Sequence, residues 1–222
     1  MAVSARIEAL VGFVPPDSIV ADIGCDHGYL CEQLLLRGFP MVYAVDISEP
    51  SLQKAKTLLH GFQNRCIFRV GDGLTVLEND KIDCCVIAGM GAQTIIQILS
   101  HPKAAQIPVW VLQPLRNSEI LRAFLNERYT IAQEKLVWQN GRVYECMQVV
   151  PGQERAYSPA ELYVGRRNIE KQSPLLLRLA QKKLKHLLAV EKSGERQSAV
   201  QELQLLVASL GAQTDAAEKS RS

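Results

Sequence analysis

No pair of cysteines in this chain is spaced CxxC, and none stands at a zinc-like distance from a histidine, although six cysteines are present. A structural zinc site is therefore not expected. Cys66, Cys84, Cys85 and Cys146 fall in strand-like runs, so buried reduced thiols are expected instead. Uninterrupted apolar stretches long enough to cross a bilayer are also missing. The opening Met1-Ala-Val-Ser-Ala-Arg6 lacks a basic region followed by an apolar one, so no secretory leader is expected and the predicted location is the cytoplasm. Charge of one sign is lacking too: the net value is +2 over 222 residues, with 47% hydrophobic and 22% charged side chains. Such a chain is an ordinary soluble protein with one substantial core and an accessory element.

A dinucleotide fingerprint is the next absence. The apolar run Ile19-Val20-Ala21 leads into Asp22-Ile23-Gly24-Cys25-Asp26-His27-Gly28, and a helix-like segment follows. A second apolar run, MVYAV, ends in Asp46. A strand, a glycine-containing turn, a helix and a second strand tipped by an acid make a nucleoside-binding βαβ unit, in which the acid accepts hydrogen bonds from ribose hydroxyls. The turn reads DxGxDxG, where a pyrophosphate-binding loop would read GxGxxG. The extra carboxylate of Asp26 would repel a pyrophosphate, yet suits a cofactor bearing a sulfonium and an ammonium group. S-adenosylmethionine is that cofactor. The plainer alternative is a tight strand-to-helix turn with incidental acids.

Further strands are expected at 66–70, 82–88 and 109–113, with helices between them and at 4–12, 92–99 and 118–128. Gly71-Asp72-Gly73 closes the third strand and Gly89-Met90-Gly91 the fourth. Runs at 131–138 and 142–149 flank Asn140-Gly141, a strong hairpin signal. Five βα units followed by an antiparallel hairpin predict an α/β, Rossmann-like methyltransferase fold: a seven-stranded sheet with one antiparallel strand. A nicotinamide dehydrogenase would usually continue with parallel units.

Beyond Pro151-Gly152 the composition shifts. Residues 1–159 carry 14 Lys and Arg against 16 Asp and Glu, whereas residues 160–222 carry 11 against 7. Residues 160–192 are expected to be helical, with an apolar stripe of Leu176, Leu177, Ala180, Leu184, Leu187 and Leu188 among Arg178, Lys182, Lys183 and Lys185. Ser193-Gly194 punctuates the run, and Val200, Leu203, Leu206, Val207 and Leu210 line a second helix. The two should pair as a coiled-coil-like hairpin. The basic excess suits either a polyanion-binding appendage or a solvated helix face. The expected division is a catalytic domain at 1–155, a helical domain at 156–211 and a disordered tail at 212–222.

With ADIGCDHGYL, AVDIS, GDGL, VIAGMGAQTI, LQPLRN and EKLVWQNGRVYECMQV in order, the chain resembles the bacterial tRNA adenine N1-methyltransferases acting on adenine 22. The resemblance spans all but about the last ten residues. It implies S-adenosylmethionine as cofactor, tRNA as partner and a helical, coiled-coil-like C-terminal domain. It also implies that Asp22, Gly24, Asp26 and Gly28 line the methionine half of the cofactor, with His27 shaping the turn. Asp46 would hold the ribose, Ile47 the adenine ring, and Asp72 the adenine amino group between Gly71 and Gly73. Gly89, Met90 and Gly91 stand where many amino-methylating relatives carry an Asn/Asp-Pro-Pro-aromatic motif. The chain departs from the family pattern at Cys25 (usually threonine), Cys31 (usually proline) and Leu115, where relatives place asparagine directly after the proline.

Methyl transfer to adenine N1 uses a free lone pair, so positioning and electrostatics suffice without a strong general base. N1 lies on the pairing edge, and the target must be unpaired or extruded first. Met90, Gln113, Arg116 and Asn117, at strand ends on the ligand side, are the candidate base-side residues. Arg178, Lys182, Lys183 and Lys185 are the candidate RNA contacts, chiefly through phosphates. Two rivals remain at this stage: a small-molecule methyltransferase, and a nucleotide-binding RNA-binding protein without catalysis. Neither metal nor membrane is expected, and a monomer is slightly favoured over an oligomer.

Overall fold

Helix α1 (Ala5–Val11) begins where the Ser4 hydroxyl accepts the Ile7 amide at 3.2 Å. Pro15 and Pro16 then force an extended entry into β1 (Ile19–Ile23). The chain continues through α2 (Tyr29–Leu36), β2 (Met41–Asp46), α3 (Glu49–Leu58), β3 (Cys66–Val70), β4 (Cys84–Met90), α4 (Ala92–Leu99) and β5 (Val109–Pro114). Helix α5 (Ser118–Asn126) and the hairpin β6 (Tyr129–Gln139)–β7 (Arg142–Pro151) follow. The computed structural model describes residues 3–190 and 196–219, in two units that divide between Glu154 and Arg155.

In the first unit the strand order is β3-β2-β1-β4-β5-β7-β6. Strands β3, β2, β1, β4 and β5 pair in parallel, while β7 runs against both β5 and β6. This is the expected sheet with one reversed strand. Val20, Val42, Cys84, Val86 and Val111 are fully buried, as parallel strands covered on both faces require. Strand β1 pairs with both β2 and β4. Strand order therefore reverses at β1, and a crevice opens at the carboxyl ends of these three strands.

Strand β4 does not end at residue 88 but runs to Met90, with a register shift between Ala88 and Met90 against β5. Gly89, at φ +81°, is the extra residue of this bulge. An apolar sequence run does not disclose a bulge, because the glycine that permits it reads equally well as a turn.

The second unit differs from the long helix expected over 160–192. It contains α6 (Pro159–Val164), α7 (Arg166–Glu170) and α8 (Leu176–Val190). Gly165 at φ +87° and Gln172 at φ +47°, followed by Ser173-Pro174, break the run. Residues 191 and 192, and the expected break at Ser193-Gly194, lie outside the described residues. The last helix, α9 (Gln197–Lys219), packs on α8 and on α6. It passes through Gly211, where the expected disordered tail was to begin; Ala212, Ala216, Ala217, Glu218 and Lys219 are good helix formers that offset the cost of one glycine. Residues 220–222 of that tail lie outside the described residues. Leu176, Ala180, Leu187 and Leu203 are buried as the stripe predicts. Leu188 is exposed, however, and Leu179 takes a buried position instead, because α6 adds a third helix to the packing.

Candidate active site

The turn after β1 is held by backbone bonds to β2: the amides of Gly24 and Cys25 both donate to the Val45 carbonyl, at 2.8 and 3.0 Å. Asp26 adopts a left-handed conformation at φ +50°, and its amide donates to Asp46 Oδ2 at 3.0 Å. The Ser48 amide donates to Asp46 Oδ1 at 2.8 Å. Two backbone donors thus fix the Asp46 carboxylate at the tip of β2, with lone pairs left for a ligand.

Two adjoining clefts share Gly24. One, of about 180 Å3, is lined by Ile23, Asp46, Ile47, Asp72, Met90 and Ile98 among others. It is apolar between two acids, as a nucleoside requires. A methyl group added at Gly24 would stand 2.2 Å from Met90 Cε, and Gly24 itself has φ +76°. The left-handed φ favours glycine here, and any side chain would also have to push the end of Met90 aside. Gly24→Ala is therefore expected to lower cofactor affinity at least about tenfold, with strain of roughly 1–2 kcal/mol in the free protein; titration calorimetry and urea unfolding read the two effects separately.

The second cleft, of about 350 Å3, is lined by Arg6, Asp22, Asp26, His27, Tyr29 and Gly89 among others. Asp22 is buried and accepts from the Cys31 thiol at 3.3 Å. Burial drives its pKa up from 3.8 to about 7; the thiol opposes this, Asp46 adds to it, and Arg6 offsets it in part. The folded protein thus keeps a proton that the unfolded chain releases above pH 4. Stability from this group is present at low pH and is lost as pH rises towards 7. Asp22→Asn removes that loss. The stability gain of the variant over the parent is expected to grow by about 2 kcal/mol between pH 5 and 7 and then level off; a gain independent of pH in urea titrations contradicts the assignment.

His27 Nδ1 lies 2.8 Å from Asp26 Oδ2, and its ring stacks on that of Tyr29 at 5.9 Å. Gly28 is buried below the turn, where a Cβ would stand 3.0 Å from Ala55 Cβ; it seats α2 against α3 and does not line either cleft. Gly71 and Gly73 line the first cleft with Asp72.

The four candidate base-side residues separate. Met90 reaches the first cleft through the β4 bulge. Arg116 and Asn117 are exposed in the loop before α5, with Arg116 Nε 3.6 Å from where a Gly91 Cβ would stand. Asn117 holds the cap position of α5 at φ +58° without a side-chain capping bond. Gln113 is 0% exposed, accepts from Arg6 Nη1 at 2.9 Å and donates to the Pro114 carbonyl at 2.8 Å. A side chain so enclosed does not meet a base, which corrects the sequence expectation. Strand-end position alone did not reveal that its side chain turns inward.

Sequence reasoning also missed four cleft residues: Tyr29 and Thr94, which lie within the family motifs but carry no expected role, and Arg6 and Ile98, which lie on helices outside them. No short-range signal marks Arg6 or Ile98; only the packing of α1 and α4 on the sheet brings them in. In the second unit, Arg178, Lys182 and Lys185 are exposed along α8, and Lys183 is half-buried. Among the described residues no cluster of His, Cys, Asp or Glu suits a metal ion, and no helix is long and apolar enough to cross a membrane.

Residues 3–147 match the family model described as "Methyltransferase domain". The chain is similar to the tRNA (adenine(22)-N(1))-methyltransferase of Bacillus subtilis, at 30% identity over 169 residues, 73% of this chain and 71% of that one. Among solved structures it is similar to a Streptococcus pneumoniae protein ascribed tRNA (m1A22) methyltransferase activity, in complex with S-adenosyl-L-methionine. The TM-score there is 0.85 at 28% identity, covering 93% of this chain and 100% of that one. It shares its fold with Mycoplasma capricolum TrmK in complex with S-adenosyl-homocysteine, with a TM-score of 0.74 at 21% identity over 97% and 99% of the two chains.

Proposed function

Because the chain belongs to the tRNA (adenine(22)-N(1))-methyltransferase family, we propose that it methylates N1 of adenine 22 in tRNA with S-adenosyl-L-methionine as donor. The observation that carries this reading is the Asp46 carboxylate, fixed by two backbone amides at the mouth of an apolar cleft that ends in Asp72. Ribose hydroxyls suit the first acid and an adenine amino group the second. Gly24 borders both clefts at φ +76°, where the turn needs a left-handed residue.

When bound, the cofactor supplies an electrophilic methyl group on a sulfonium. The chain's own part is binding and orientation. Asp22 and Asp26 present negative charge to the cationic end of the cofactor, and Met90 stands at the strand tip between the cleft and the base side. Arg116 and Asn117 are exposed in the loop before α5, with Arg116 beside Gly91, and are the residues proposed to meet an extruded base. Adenine N1 attacks with its own lone pair, so no residue has to remove a proton beforehand. A tRNA substrate supports the cytoplasmic location expected from the sequence.

Incubation with methyl-labelled S-adenosylmethionine and unmodified bacterial tRNA, followed by nucleoside mass spectrometry, tests this. The expected product is 1-methyladenosine at position 22; cofactor binding without any tRNA methylation returns the reading to a small-molecule acceptor.

The exposed Arg178, Lys182 and Lys185 recur at helical spacing on α8, and with Lys183 they form the proposed RNA-binding face. Replacing Lys182, Lys183 and Lys185 with glutamine is expected to weaken tRNA binding about tenfold or more at moderate salt. The slope of log affinity against log salt should fall by about 1–3. An unchanged slope makes the helix a structural brace.

A further inference from the structure

Arg6 is the one Arg or Lys lining the cleft that holds Asp22 and Asp26. It projects from α1 and is half-buried, and among the described residues no carboxylate forms an ion pair with it. Its position is nonetheless closely fixed. Gln113 Oε1 accepts from Nη1 at 2.9 Å, the Tyr144 ring lies 5.6 Å from Cζ, and Gln139 Oε1 accepts from the Arg6 amide at 3.0 Å. Gly89 leaves room for the guanidinium, since a Cβ there would stand 3.7 Å from Nη1. Gln113 is in turn oriented by its bond to the Pro114 carbonyl, so its oxygen is the end facing Arg6. Five elements (α1, β4, β5, β6 and β7) thus converge on the one Arg of an otherwise acidic cleft.

A fixed guanidinium that makes no ion pair among the described residues and only partly offsets the buried Asp22 can receive an anion, and its planar fork matches a carboxylate. The adenine being methylated is a poor occupant, because its ring becomes cationic as the bond to N1 forms. The cationic end of the cofactor belongs opposite Asp22 and Asp26. One anionic group is left: the α-carboxylate of the methionine moiety. We infer that Arg6, held in place by Gln113, binds that carboxylate, and that Gln113 is a positioning residue acting through Arg6. The inference rests on the S-adenosylmethionine reading above and extends it to Arg6, which no sequence motif marks, and to a different role for Gln113.

The test compares two ligands by titration calorimetry: S-adenosylmethionine, and its decarboxylated analogue, which keeps the sulfonium and the ammonium but has no carboxylate. The unaltered protein is expected to bind the first at least about tenfold more tightly. Arg6→Met is expected to weaken S-adenosylmethionine about 30-fold while changing the analogue less than about threefold. Arg6→Lys, which keeps the charge but loses the fork, should fall between the two. Gln113→Leu should cost about fivefold on S-adenosylmethionine alone; a merely structural role would move both ligands together. Urea unfolding without ligand verifies that each variant folds. Equal losses for the two ligands, or tRNA affinity lost with cofactor affinity intact, overturn the inference while leaving the cofactor reading standing. Failure of the unaltered protein to bind either ligand overturns both.

Discussion

Arg122→Ala is expected to destabilise the protein by about 3–5 kcal/mol, the largest loss foreseen for any single surface-distant substitution in the first unit. Arg122 is 0% exposed on α5 and donates to Glu134 Oε1 from Nε and Nη2, at 2.9 and 2.8 Å, and to Glu145 Oε2 at 2.8 Å. The Ser118 hydroxyl donates to Glu145 Oε1 at 2.9 Å. Burial alone would lower the arginine's pKa, but the two glutamates more than reverse that and hold it above its ordinary value. The cluster joins α5 to both strands of the hairpin. Removing the cation leaves two carboxylates buried against each other, which either ionise at a high cost or take up protons. The stability lost in Arg122→Ala should therefore be smaller near pH 4–5 than at pH 7–8. Chemical unfolding across that range measures it, and a deficit below about 1 kcal/mol at pH 7 removes the cluster from the determinants of the fold.

Asp46→Ala is expected to reduce S-adenosylmethionine binding at least 100-fold, estimated as about 1.5–3 kcal/mol for each hydrogen bond to a charged group. The same carboxylate also receives the Asp26 and Ser48 amides. Its removal loosens the turn as well as the ribose contact, whereas Asp46→Asn keeps one acceptor and should retain part of the affinity. The free protein should lose little stability, because Asp46 is half-exposed and its amide partners can turn to water. Undiminished affinity in calorimetry would falsify the placement of the ribose at this strand tip.

The catalytic sheet was legible because its signals are local. The carboxyl ends of β1, β2, β3 and β4 each carry a glycine or an acid, and Asn140-Gly141 marks the hairpin. The first cleft could be read for the same reason: Gly24, Asp46, Ile47 and Asp72 all lie at the carboxyl ends of strands. What escaped depends on longer-range packing. Gln113 has the strand-end position of a substrate contact, yet its side chain is directed by Arg6, 107 residues away. In the second unit, one apolar stripe fitted a continuous helix equally well. Gly165 and Ser173-Pro174 end helices there because the segment folds back to form a three-helix core, which periodicity does not encode.

Asp22 is hydrogen-bonded by a thiol, and the Arg6 guanidinium offsets its burial only in part. Cys31 can soften the burial of a carboxyl group, but it cannot neutralise a carboxylate. Arg6 in the same cleft compensates too little to keep the group fully ionised near neutral pH, so the charge pattern of the cleft has to take further positive charge from outside the chain. A ligand carrying an ammonium completes it and sets the Asp22 proton free, so the heat of binding near neutral pH should vary with the ionisation enthalpy of the buffer. A nucleoside lacking the amino-acid end fills the apolar cleft yet leaves the proton in place. Proton release on binding is thus expected to tell the intact cofactor from a nucleoside fragment.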